Sequence, residues 1–159
     1  MFKIGDKIFY PMQGGGVISS IEEKEVFGEI QSYYVVDILH KNLQVMVPTN
    51  NTEKSKMRPI VDPKKLDDVL NSLHDGGTDI LLNDNQRHKN NLNKIKSGDI
   101  SETAEVIRDL VRIRNKKKLG IADANMLDSA RQILISEVVL VKEIPQEQAV
   151  DLVDQIINM

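Results

Sequence analysis

The chain has 159 residues, enough for one domain or two small ones, with 40% hydrophobic content and a formal charge of −3. It has no cysteine, which excludes disulfides, thiolate metal sites and a cysteine nucleophile. Tryptophan is absent and aromatics make up 4%, which argues against binding single strands by base stacking. No apolar run approaches the roughly 20 residues that span a bilayer. No charged-then-apolar leader pattern opens the chain, so no membrane association and a cytoplasmic location are expected.

The small net charge hides segregation. Residues 1–58 carry 7 basic and 7 acidic groups, and residues 59–85 carry 2 and 6. Residues 86–118 carry 10 basic and 4 acidic groups, and residues 119–159 carry 2 and 7. A basic block between acidic neighbours suits a phosphate-facing patch, or an ordinary solvated helix face.

In chain order, the first 48 residues read as strand and turn. Residues 7–10 form a short strand stopped by Pro11, which has no amide to donate. Gly14, Gly15 and Gly16 permit positive φ or a close backbone crossing, and a hairpin bend is the plain reading. Residues 17–25 form a second strand, with Val17, Ser19 and Ile21 on one face and Ile18 on the other. Phe27-Gly28-Glu29 is a hairpin turn. Residues 31–39 are a third strand, near-continuously apolar and so expected to be covered on both faces. Then Leu43, Val45 and Val47 alternate with Gln44 and Met46, a period of two. Residues 53–58 suit one last short strand. Four or five short strands joined by hairpins imply a small, strongly bent sheet or barrel.

Asp62-Pro63 changes the signature to helix, as cap and first helical residue. Leu66, Val69, Leu70 and Leu73 follow at helical spacing. Asp75-Gly76-Gly77 ends that helix, and residues 74–83 read as a loop. A second helix runs from about Asp84 to Ser97, with Leu92 and Ile95 inward. Asp99 and Glu102 resemble a capping box opening a third. This helix buries Ala104, Ile107, Leu110 and Val111, shows Arg108, Arg112 and Lys116 on one face, and is expected to end at Gly120. Asp123 starts a fourth, with an apolar stripe from Met126 to Val141. Pro145 opens a fifth, carrying Ala149, Leu152, Val153 and Ile156. The fold class is α+β: a β module over 1–58, then an all-α module of about five helices over 62–159.

Catalytic chemistry is hard to find. His40, His74 and His88 are widely separated and lack the spacing of a metal-binding helix. The glycine run lacks the Gly-Lys-Ser/Thr that a phosphate loop needs. No enzyme activity, metal, cofactor or small-molecule substrate is therefore expected. Binding chemistry remains. The strand containing Leu43, Val45, Met46 and Val47 could accept a partner strand if it lies at a sheet edge, although alternation alone does not separate edge from interior. Arg87, Lys89, Arg108 and Arg112 could neutralise phosphates.

Several stretches resemble the CarD family of bacterial transcription regulators. These are F-K-I-G-D-K-I-F-Y-P at residues 2–11, V-P at Val47-Pro48, M-R at Met57-Arg58 and K-x-N-L at residues 89–92. S-G-D at residues 97–99, A-E-V-I-R-D-L at residues 104–110 and M-L-D-S-A-R-Q-I-L at residues 126–134 complete the set, in order along nearly the whole chain. The resemblance implies a Tudor-like barrel that docks on the β subunit of RNA polymerase. It also implies a helical domain that touches promoter DNA and stabilises the open complex. It places Lys24, beside Val26, at a polymerase-binding position, and Met46 where a basic residue is common. Arg87 and Lys89 match phosphate-contacting positions. Two positions depart from the pattern: Asp84 stands where many members insert a tryptophan into the minor groove, and Ala124 replaces a basic residue. The expected DNA contact is thus weak, confined to the backbone and sequence-independent. The alternative is a polymerase-binding or other protein adaptor that does not engage DNA.

Overall fold

The computed structural model describes residues 1–50, 52–78 and 82–158. Residues 79–81 of the expected loop lie outside the described set.

Five strands form one antiparallel sheet: β1 (Lys7–Tyr10), β2 (Gly14–Val26), β3 (Glu29–Ile38), β4 (Leu43–Pro48) and β5 (Arg58–Pro59). Their order is β4-β3-β2-β1-β5. The alternation places Ile8, Ile18, Tyr34, Val36, Ile38 and Val47 on one face, where they pack with Met57. The expected closed barrel is not formed, because β4 and β5 lie at opposite edges and do not pair with each other. A one-turn helix, α1 (Thr52–Ser55), stands where a strand over 53–58 was expected, and leaves β5 only two residues.

Two further expectations change. The register of β2 on β3 shifts between Ile18 and Ser20, a bulge that breaks the strict alternation of Val17, Ser19 and Ile21. Ser19 Oγ there donates to the Val35 carbonyl at 3.2 Å. The third strand is buried at Tyr34, Val35, Val36 and Ile38, while its Glu29–Ile30 end is exposed. Pairing of β3 with β4 stops at Tyr33 and Pro48, while β2 and β3 stay paired out to Val26 and Glu29. The two strands therefore leave the sheet as a two-stranded ribbon.

The glycine run is strand rather than bend; the turn falls at Pro11–Gln13, where the Gln13 amide donates to the Tyr10 carbonyl at 3.0 Å. Close backbone crossing is the feature that matters. A Cβ on Gly15 would sit 2.8 Å from Leu140 Cδ1 and 3.0 Å from the Ser136 carbonyl oxygen. The Gly15 amide donates to Ser136 Oγ at 2.8 Å. The missing side chain is what lets a long helix lie directly on the sheet.

That helix is α5 (Ile121–Lys142), accompanied by α2 (Pro63–Asn71), α3 (Asp84–Lys96), α4 (Ile100–Arg114) and α6 (Gln146–Ile157). These are the five expected helices, with α1 as an addition. Caps set their starts. Asp62 accepts from the Lys65 amide, and Asn83 with Gln86 forms a reciprocal capping box. Asp99 accepts from the Ser101 and Glu102 amides. The helix α4 ends at Arg114, short of Gly120, because Asn115 is its C-cap; Gly120 is instead the N-cap of α5. The helical core is built on Leu66, Ile107, Leu110, Ala130, Leu134 and Val153, and it includes Phe9 from β1. Sheet and helices thus share apolar surface across their seam.

Candidate functional site

Two surfaces carry the residues singled out from sequence. On the first, β4 is an edge strand, paired on one side with β3. Val45 and Val47 point to the sheet core, with Val47 buried, while Leu43 and Gln44 are exposed and Met46 is half-buried. Gln44 Nε2 donates to Asp37 Oδ1 at 2.7 Å, fixing the strand end. The outer main-chain groups of β4 have no strand partner among the described residues. An edge of this kind is a template for strand addition.

Lys24 and Val26 are elsewhere, on the ribbon beyond the end of β4, opposite Gln31 and Glu29. The structure does not bring them onto β4. The ribbon base is tied to the residues that follow β4: the Thr49 amide donates to the Ser32 carbonyl at 3.0 Å. Gln31 Nε2 donates to Asn50 Oδ1 at 3.2 Å. Sequence reasoning treated Phe27 only as a turn residue. It stands at the ribbon tip, wholly exposed. An aromatic within the turn Phe27-Gly28-Glu29 is the signal the sequence carries.

The second surface is helical, and most of its expected phosphate ligands are already engaged. Arg87 Nη2 lies 2.7 Å from Asp84 Oδ1 and 2.6 Å from Asp123 Oδ2, with 12% of its side chain exposed. Hydrogen bonding to Arg87 holds the Asp84 carboxyl below its ordinary range, and Asp123 raises Arg87. Arg108 donates to the Asp75 and Gly77 carbonyls at 2.9 and 3.2 Å and pairs with Asp109 at 2.8 Å. Arg112 donates to the His74 and Gly76 carbonyls at 2.8 and 2.9 Å, and to Thr78 Oγ1 at 3.0 Å. These two guanidinium groups clamp the segment after α2 onto α4. Lys89 differs: it is exposed and makes no ion pair among the described residues. The same holds for Lys116, Lys117 and Lys118, in the link between α4 and α5.

Chain folding also gathers distant residues. His40 from the β3–β4 turn and His88 from α3 line one cleft of about 460 Å³ between sheet and helices, with Met12, Leu92 and Asn125. Burial, then the Lys41 charge, holds the His40 pKa below its ordinary value. No cluster of three or more potential metal ligands occurs among the described residues. No described helix is long and apolar enough to cross a membrane.

Comparison with known proteins agrees with this architecture. Residues 2–61 match the family model described as CarD-like/TRCF RID domain, and residues 68–154 match the CarD C-terminal domain. The chain is 45% identical over 148 residues to a protein named "Putative transcription factor YdeB" from Bacillus subtilis (strain 168). The alignment covers 93% of this chain and 97% of that protein.

Proposed function

Because the chain belongs to the CarD family of transcription factors, we propose that it docks on the β subunit of RNA polymerase and tunes the stability of the open promoter complex. The observation that carries this reading is the unpaired outer edge of β4, flanked by exposed Leu43. A polymerase strand added there would gain main-chain hydrogen bonds whatever its side chains, so Met46 in place of a basic residue need not abolish docking. Lys24 and Val26 on the ribbon are assigned to the same interface. A pull-down with the β subunit tests the reading: retention at low salt, weakened by Lys24→Glu, is expected, and no retention overturns it.

The helical module then lies beside promoter DNA and contacts the phosphate backbone weakly, without catalysis or a cofactor. Lys89, with Lys116 and Lys118, supplies charge that no ion pair among the described residues matches, while Lys117 also acts on the Asp84 carboxylate. Arg87, Arg108 and Arg112 are assigned there with less free charge to offer. A second reading, a polymerase-bound adaptor that leaves DNA alone, is favoured by one observation. Asp84, at the position where the family pattern has a wedge, is ion-paired to Arg87. Footprinting on polymerase-bound promoter DNA separates the two. Loss of protection with Lys89→Ala plus Lys117→Ala supports DNA contact, and unchanged protection supports the adaptor.

A further inference from the structure

The ribbon formed by β2 and β3 ends in a turn that its own stability does not explain. Val26 pairs with Glu29, which leaves the two-residue loop Phe27-Gly28. Both loop residues carry positive φ, 52° and 80°, the backbone of a mirror-image hairpin turn. Asn-Gly or Asp-Gly is the pair that favours such a turn; a bulky residue there is strained. Phe27 is nevertheless 102% exposed, and Ile30 beside it is 75% exposed. No ring contact holds Phe27 to the rest of the chain among the described residues. Val26 and Ile30 flank the tip on opposite faces of the ribbon, which leaves Phe27 as its one fully exposed apolar side chain.

The stem below the tip is acidic. Glu22, Glu23, Glu25 and Glu29 are all exposed, against one cation, Lys24. None of the four forms an ion pair among the described residues. Such a stem repels nucleic acid and anionic lipid, which leaves a protein as the complementary surface. Single large aromatics seated in desolvated pockets are typical anchors of protein interfaces.

We propose that Phe27 is the anchor of the polymerase interface, inserting into an apolar pocket of the β subunit with a carboxylate at its rim that meets Lys24. This rests on the docking reading above and names the residue that dominates it. In that complex the strained turn presents the ring rigidly, ahead of the strand pairing along β4.

The experiment is titration of RNA polymerase with the full chain and three variants. Phe27→Asn suits the turn better than the native residue, so it folds at least as stably. It is expected to weaken binding by about thirtyfold, the threshold of an interface hot spot. Phe27→Leu keeps apolar bulk and is expected to lose less. Phe27→Trp introduces the chain's single tryptophan, and its emission is expected to shift to the blue on complex formation. Binding by the wild type that Phe27→Asn leaves unchanged, or an unshifted tryptophan in the complex, overturns the anchor and leaves docking intact. No binding by the wild type overturns both. Equal loss of Phe27→Asn binding to promoter DNA without polymerase assigns the tip to nucleic acid and also overturns the anchor.

Discussion

Arg58 of β5 and Glu137 of α5 join the two halves of the molecule through a two-pronged ion pair. Nη1 and Nη2 of Arg58 each lie 2.8 Å from a different carboxylate oxygen. Glu137 is fully buried and also accepts from the Val61 amide at 2.9 Å. Arg58 in turn donates Nε to the Gly98 carbonyl at 2.9 Å and lies 4.3 Å from the Phe9 ring centroid. One side chain thereby touches the sheet, the α3–α4 turn and α5. This gives the Met57-Arg58 pair of the family pattern a physical role. Removing the arginine would strand a buried carboxylate, so Arg58→Ala is expected to cost about 3–5 kcal/mol. Chemical denaturation measures it, and Glu137→Gln with Arg58 intact should lose less.

The contact between Gly15 and α5 gives a second expectation. An added methyl meets Leu140, which can yield, and the Ser136 backbone, which cannot. Gly15→Ala should therefore destabilise by about 1–3 kcal/mol through overpacking. Trimming Leu140 to alanine in the same chain should not restore the loss, because the backbone clash remains. Gly77→Ala, whose Cβ meets nothing within 4 Å, is the control and should leave the thermal midpoint unchanged.

Cations on the helical face should separate into two groups when substituted. Arg112→Ala deletes hydrogen bonds to the carbonyls of His74 and Gly76, and should cost about 1–2 kcal/mol of stability. Lys89→Ala touches no internal partner and should leave stability alone. Thermal melts of both variants decide this. A loss of DNA contact in an Arg87 or Arg112 variant therefore has to be read against its folded fraction.

His40 supplies a pH dependence. Its ring is held below the ordinary value of 6.5 by burial and by Lys41, so the folded protein binds fewer protons than the unfolded chain. The contribution to stability is complete above that unfolded value. It is lost as pH falls toward and through the lowered folded value. His40→Gln should flatten the fall in denaturation midpoint between about pH 7 and about pH 5. An unchanged slope would show that other groups carry it.

Sequence alone determined the local features, because they depend on near neighbours. Asp62, Asp99 and the apolar spacing of α2 to α6 are legible through caps and periodicity. The alternation at Leu43, Val45 and Val47 is legible in the same way, and the ordered family stretches identify the lineage. What tertiary structure decided depends on pairing across the chain. Whether β4 lies at an edge, and whether the sheet closes, depend on which strands meet. The glycine run reads as a bend until α5 is seen to press on it. Arg87, Arg108 and Arg112 look free in sequence, since Asp123 and the carbonyls at 74–77 are 31 or more residues from the side chains they hold, apart from neighbours such as Asp84. Charge is written in the sequence, but whether that charge is already spent on the protein's own groups is settled only by the fold.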